Sequence, residues 1–170
     1  LKAGVLNGAL GSARLEGADG QELVLRFTAL QNPPSPLPVN LLLALPRPKA
    51  LRRLFTDMAS LGLKNIYLIH AAKVEKAYWH TEHLSAEAIG KALRLGLEQG
   101  ADTVLPRVHL KRRFKPFVED ELPALIRGHR ALVAHPGGGD LNAAQGPQTL
   151  AIGPEGGFTD YEIELLRVAG

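Results

Sequence analysis

The chain has 170 residues, 45% of them hydrophobic, and a formal net charge of +3. That length suffices for one full domain plus a small module, and the apolar content suffices for a real core. With no Cys, disulfides and thiolate metal sites are excluded, and a reducing, cytoplasmic setting fits. No run approaches the roughly 18 uncharged apolar residues of a membrane span, so no membrane role is expected. Residues 1–15 also lack the basic start and apolar stretch of a signal peptide. A mildly basic balance suits a nucleic-acid partner without demonstrating one.

In chain order, residues 1–31 are Gly-rich with short apolar runs at 5–6, 13–15 and 23–29. Turn signals at Asn7-Gly8, Gly11-Ser12 and Asp19-Gly20 predict antiparallel strands. Four prolines within residues 32–38 predict a stiff extended linker, and the domain boundary is placed there. Residues 39–45 run continuously apolar, the pattern of a strand buried on both faces. Pro48 suits a helix's first turn, Leu51, Leu54, Phe55, Met58 and Leu61 give its apolar stripe, and Gly62 ends it. Residues 65–70 read as a strand and 74–79 as a short strand or loop. Ser85 caps a helix carrying Ile89, Ala92, Leu93 and Leu97, closed by Gly100. Residues 104–108 read as a strand, 117–126 as a helix irregular near Pro123, and 131–134 and 149–152 as strands. Thr159-Asp160-Tyr161-Glu162 is a capping box opening a last helix, with Gly170 as its closing cap and a further strand expected after it. Alternating strands and helices predict an α/β fold with a mostly parallel sheet covered on both faces.

The sharpest local signal is Ile152-Gly153-Pro154-Glu155-Gly156-Gly157-Phe158-Thr159, between an apolar strand and the capped helix. Open α/β sheets bind ligands at the carboxyl ends of their strands, where this segment falls. Its glycines open backbone angles closed to other residues and let a ligand approach main-chain amides. Pro154 stiffens the turn and Glu155 supplies a carboxylate. On spacing alone, a plain strand-to-helix turn is the competing reading. A Rossmann domain is disfavoured, because the first strand past the linker runs into Pro46-Arg47-Pro48-Lys49 rather than a glycine-rich turn, and no Walker loop is present.

The 152–158 block resembles the IGPEGGF signature of the ribosomal RNA small subunit methyltransferase E family, within the SPOUT class. Other segments agree in order: Leu1-Lys2-Ala3-Gly4 with Leu6-Asn7-Gly8, Leu61-Gly62-Leu63 with Asn65-Ile66, Glu98-Gln99-Gly100 with Leu105-Pro106, and His135-Pro136. The resemblance implies a partial PUA-like β-barrel module over 1–31, a linker over 32–38, and a SPOUT-like, trefoil-knotted domain over 39–170. It implies methyl transfer from S-adenosylmethionine to N3 of a uridine in 16S rRNA, with ribosomal RNA or the small ribosomal subunit as partner, a homodimer, and no metal. Ala134, His135, Pro136, Ile152, Gly153, Pro154, Glu155, Gly156 and Gly157 would then line the cofactor pocket. Lys73 stands where the family has Arg and is the candidate for stabilising charge on the target base. Ala101 replaces another family Arg, and the family's third cofactor loop would follow Gly170. A non-catalytic RNA-binding module of the same fold and a SPOUT methyltransferase with another RNA target are the alternatives.

Further candidates are weighed on their chemistry. Lys111, Arg112 and Arg113 could grip RNA phosphates or simply form a solvated turn. Arg47, Lys49, Arg52 and Arg53 lie at a helix start, where the dipole favours anions rather than cations; they hint at an anionic partner, with a plain solvated face as the competing reading. His80-Thr81-Glu82-His83 lacks a third ligand for a metal. Gly137-Gly138-Gly139-Asp140 reads as a connector rather than a phosphate loop, and His135 as packing rather than a base. Tyr78 and Trp79 could stack a base, though packing is the safer reading.

Overall fold

A computed structural model describes residues 1–20, 22–136, 138 and 146–170. Strands β1 (Lys2–Gly4), β2 (Leu10–Asp19) and β3 (Glu22–Gln31) form a three-stranded antiparallel sheet. Strands β4 (Val39–Ala44), β5 (Asn65–Ile69), β6 (Arg107–Lys111), β7 (Arg130–Ala134) and β8 (Gln148–Ile152) form a second sheet in the order β6-β5-β4-β8-β7, every pair parallel. Residues 32–37 carry no regular element between the two sheets. The α/β reading therefore holds. Among the described residues, no helix is long and apolar enough to cross a membrane.

The central strand β4 is apolar because it is covered on both faces, and Leu41, Leu42 and Ala44 are buried. Helix α1 (Pro48–Ser60) turns Leu51, Phe55, Met58 and Ala59 inward. Each fully buried large side chain contributes roughly 1.5–3 kcal/mol. The helix ends at Gly62, whose φ of +84° is left-handed, with Leu63 N–H returning to the Met58 carbonyl at 3.2 Å. Helix α2 (Ala86–Gly100), capped by Ser85, packs against α1. Gly96 lets the two backbones touch, since a Cβ there would lie 2.3 Å from the Thr56 carbonyl oxygen.

The structure moves several elements, each for a local reason. Residues 5–6 are in a turn, where Asn7 has φ +58° and Gly8 N–H reaches the Val5 carbonyl at 2.7 Å. Residues 74–79, read as a short strand or loop, form no strand and run into a 3₁₀ turn (Lys76–His80). The sixth strand starts at Arg107 rather than 104. The Asp102 carboxylate takes the N–H groups of Thr103 and Val104, the Asn7 side chain takes that of Leu105, and Pro106 has none. No ladder donor is left there. The expected helix over 117–126 begins earlier, as α3 (Phe114–Pro116), widens into a π segment (Phe117–Glu121) and closes as α4 (Leu122–Leu125). Pro123 lacks the N–H that an α-helical ladder needs. The left-handed residue closing α2 is Ala101, at φ +50°, not Gly100. Gly100 is instead needed for contact, because a Cβ there would meet the Ser60 carbonyl oxygen at 2.7 Å.

Lys64 and Asp102 form a buried ion pair that ties the start of β5 to the approach to β6, and Lys64 also donates to the Val104 carbonyl at 2.7 Å. Burial alone would raise the Asp102 carboxyl. Hydrogen bonds from Lys64 and from the Val104 and Thr103 N–H groups outweigh it and hold the group below 3.8. A depressed folded value contributes stability above the unfolded value that is lost as pH falls through the folded one. Asp102→Asn should therefore cost about 3 kcal/mol near neutral pH. Urea unfolding across pH should show that deficit shrinking only below about pH 4. A deficit independent of pH would contradict the ion-pair account.

Candidate functional site

The register of the parallel sheet places the predicted site residues along one edge. Ala134 lies beside Ile152, Ile152 beside Leu43, Ala44 beside Ile69, and Ile69 beside Lys111. These are strand carboxyl ends, so the segments leaving β4, β5, β7 and β8 emerge together. Arg47 leaves β4, Lys73 follows β5, Ala134, His135 and Pro136 end β7, and 153–157 follow β8. His135 and Pro136 are exposed on this edge. Gly137, Gly139 and Asp140 lie outside the described residues.

Three contacts join these segments. The Glu162 carboxylate, only 3% exposed, accepts from Ala72 N–H at 2.6 Å through one oxygen. Its other oxygen accepts from Thr159 N–H at 2.8 Å and Thr159 Oγ1 at 2.9 Å. The capping box that opens helix α5 (Asp160–Ala169) thus also fixes the loop after β5. Lys73 Nζ donates to the Gly156 carbonyl at 2.6 Å. Arg47 Nη2 lies 2.7 Å from Glu155 Oε2 in an exposed ion pair.

Within 153–157 the glycines differ in what they do. Of the three, only Gly157 uses a left-handed angle, at φ +70°. A Cβ at Gly153 would meet the Phe158 ring and N–H at 3.1 Å, so that glycine allows the loop to fold onto its own phenylalanine. Gly157 N–H closes the turn on the Pro154 carbonyl at 2.7 Å. The N–H groups of Glu155 and Gly156 make no hydrogen bond among the described residues. The loop therefore offers open main-chain donors and a carboxylate, as a polar ligand's cradle requires.

The basic candidates do not all converge here. Arg53 pairs with Asp57 on its own helix at 3.5 Å. Arg52 lines a separate cavity between α1 and α2. Lys111 pairs with Glu121 and lies over Phe117, while Arg112 lies 5.2 Å above the Trp79 ring and donates to the Trp79 carbonyl at 3.3 Å. Trp79 is buried and donates to His70 Nδ1 at 2.8 Å, so it packs rather than stacks a base. Arg113 is exposed and has no partner among the described residues. A cavity of about 610 Å³ lies elsewhere, between the β1–β3 sheet and the C-terminal end of α2. It contains none of the predicted site residues, and we place the functional site by the converging strand ends instead.

The fold and this edge define an α/β protein whose candidate site is a set of loops at the carboxyl ends of a parallel sheet. The chain belongs to the RNA methyltransferase domain family, whose model matches residues 33–170. It is 32% identical to the ribosomal RNA small subunit methyltransferase E of Treponema pallidum (strain Nichols), a match covering 99% of this chain and 66% of that protein. The chain thus spans about two thirds of that relative's length. Among solved structures, it shares its fold with the ribosomal RNA small subunit methyltransferase E of Neisseria gonorrhoeae bound to S-adenosyl methionine. There the TM-score is 0.73 at 16% identity, covering 96% of this chain and 68% of that one. The "probable rRNA-methyltransferase" of Porphyromonas gingivalis gives a TM-score of 0.72 at 18% identity, covering 96% and 69%.

The two minor loop contacts differ in weight from the major one. Glu162→Ala would strip a cap and orphan the Ala72 N–H, at a cost of about 2–3 kcal/mol. Lys73→Met removes one exposed hydrogen bond and should cost about 1 kcal/mol or less. Hydrogen exchange at Gly157, whose N–H closes the turn on the Pro154 carbonyl, should nevertheless accelerate in Lys73→Met, with the melting temperature changing little. Unaltered exchange there would show that Lys73 does not hold the loop.

Proposed function

We propose that the chain works as an S-adenosylmethionine-dependent methyltransferase that modifies N3 of a uridine in 16S ribosomal RNA. The observation that carries this reading is the convergence of the 152–157 loop with the ends of β4, β5 and β7. Family membership supports an RNA substrate, and the names of the Treponema and Neisseria proteins support the ribosomal target and the cofactor. The open amides of Glu155 and Gly156 and the left-handed Gly157 fit a cofactor lying against backbone.

The same reading divides the chain into a PUA-like module over 1–31, a linker over 32–38 and a SPOUT-like, trefoil-knotted domain over 39–170, acting as a cytoplasmic homodimer. The antiparallel β1–β3 sheet, which leaves Leu15, Leu23, Leu25 and Leu30 exposed, supports it as one part of a larger β-barrel.

When bound, the cofactor supplies a methyl group already activated on a sulfonium. The protein's work is then positioning and proton management. Ile152, Gly153, Pro154, Glu155, Gly156 and Gly157 would form one lip of the pocket, and Ala134, His135 and Pro136 the other. Lys73 holds the first lip through the Gly156 carbonyl. Its ammonium keeps two further N–H donors for a target pyrimidine that gains negative charge on losing its N3 proton. Arg47 and Arg113 would receive RNA phosphates, the former by exchanging Glu155 for phosphate.

Two measurements test this. Labelled S-adenosylmethionine with 16S rRNA should yield one methylated uridine, and mapping it should place the methyl on N3. Gly157→Val forces a branched residue to φ +70° and should weaken S-adenosylmethionine binding by calorimetry at least about tenfold in a protein that still folds. Unchanged affinity would remove the loop from the pocket. RNA binding without any methyl transfer would instead favour a non-catalytic module.

A further inference from the structure

A second, smaller cavity lies between α1 and α2. It measures about 140 Å³ and is lined by Arg52, Phe55, His83, Ala88, Lys91 and Ala92. That is below the ~300–1,000 Å³ of sites for drug-sized ligands, and suits one small group. Its three polar lining residues are all basic and come from three elements: Arg52 from α1, His83 from the 3₁₀ turn Glu82–Leu84, and Lys91 from α2. No Asp or Glu lines it, and its remaining walls are apolar.

The charges there are uncompensated. Neighbouring Arg53 is neutralised by Asp57 and Arg47 by Glu155. The side chains of Arg52, His83 and Lys91 have no partner among the described residues. Arg52 and Lys91, cations without a counter-ion, repel one another, and an anion reverses the sign of that interaction. The turn carrying His83 is held independently, with His83 N–H donating to Thr81 Oγ1 at 3.4 Å. Arg52 lies roughly 6 Å along α1 from its first residue, and α1 starts directly after the β4 end that contributes to the candidate site.

We infer that Arg52, His83 and Lys91 form a binding site for one phosphate group, supplied by the RNA backbone as the strand crosses the α1–α2 face toward the glycine loop. This rests on the RNA-methyltransferase reading. It adds His83 and Lys91 to the RNA contacts and gives Arg52 a defined partner.

The test uses the whole chain and the double variant Arg52→Gln, Lys91→Gln, with binding of a 16S rRNA fragment followed by fluorescence anisotropy across a salt series. Affinity should fall about tenfold at low salt. The slope of log K against log salt should flatten by about 0.7–0.9, the value for one phosphate rather than two. The Arg52→Lys, Lys91→Arg variant should keep the wild-type slope. S-adenosylmethionine calorimetry in parallel reports that the variants are folded. Unchanged RNA affinity and slope in a double variant that still binds cofactor would overturn the phosphate site alone. Wild-type protein that binds cofactor but no RNA would overturn the underlying reading as well. Phosphorus-31 line broadening of inorganic phosphate separates the sources: broadening abolished by the double variant while RNA binding persists would assign the pocket to a free phosphate and overturn the backbone assignment.

Discussion

The buried carboxylate of Glu162 is the constraint on which the candidate site depends. A carboxylate left without donors at that depth would be expensive to bury. Here both oxygens are occupied by donors from two different loops, Ala72 N–H on one side and the Thr159 N–H and hydroxyl on the other. The helix α5 N-terminus, where Glu162 sits in the first turn, adds favourable dipole interaction. One side chain therefore caps a helix, closes the turn after β8 and fixes the segment after β5. The position of Lys73, one residue past Ala72, follows from it.

The other two contacts are set on that frame and are weaker by nature. The Arg47–Glu155 pair is exposed on both sides, at 67% and 73%, so it is screened and contributes little to stability. Its exposure leaves it exchangeable, so that in the proposed RNA contact a phosphate would replace the carboxylate without dismantling the loop. The Lys73–Gly156 bond is intermediate, since it holds the loop through a carbonyl and leaves ammonium donors over. Rigid support beneath and exchangeable charge above suits a site that must hold its shape while polymer substrates come and go.

Features encoded locally were legible in the sequence. The apolar run of β4, the caps at Ser85 and Thr159 and the IGPEGG loop depend on neighbours within a few residues, and each stands where periodicity and cap chemistry place it. What was not legible depends on distant partners. The start of β6 is displaced because Asn7, 98 positions away, captures Leu105 N–H. The second role of Glu162 needs Ala72, 90 positions away, although the capping box itself marked the residue. The basic cluster at the end of β6 reads as a phosphate grip or a solvated turn, yet Lys111 and Arg112 are engaged by Glu121 and Trp79 through contacts the tertiary fold creates. Gly100 carries a close helix contact and leaves the left-handed turn to Ala101, an exchange no propensity scale anticipates.

Hydrogen exchange of the whole chain with and without saturating S-adenosylmethionine tests the central claim most directly. The loops joined by Glu162 should respond as one unit, with new protection at 71–73, 134–136 and 153–158 and little change in the β1–β3 sheet. Protection confined to the cavity between β1–β3 and α2, or absent from 153–158, would contradict the account.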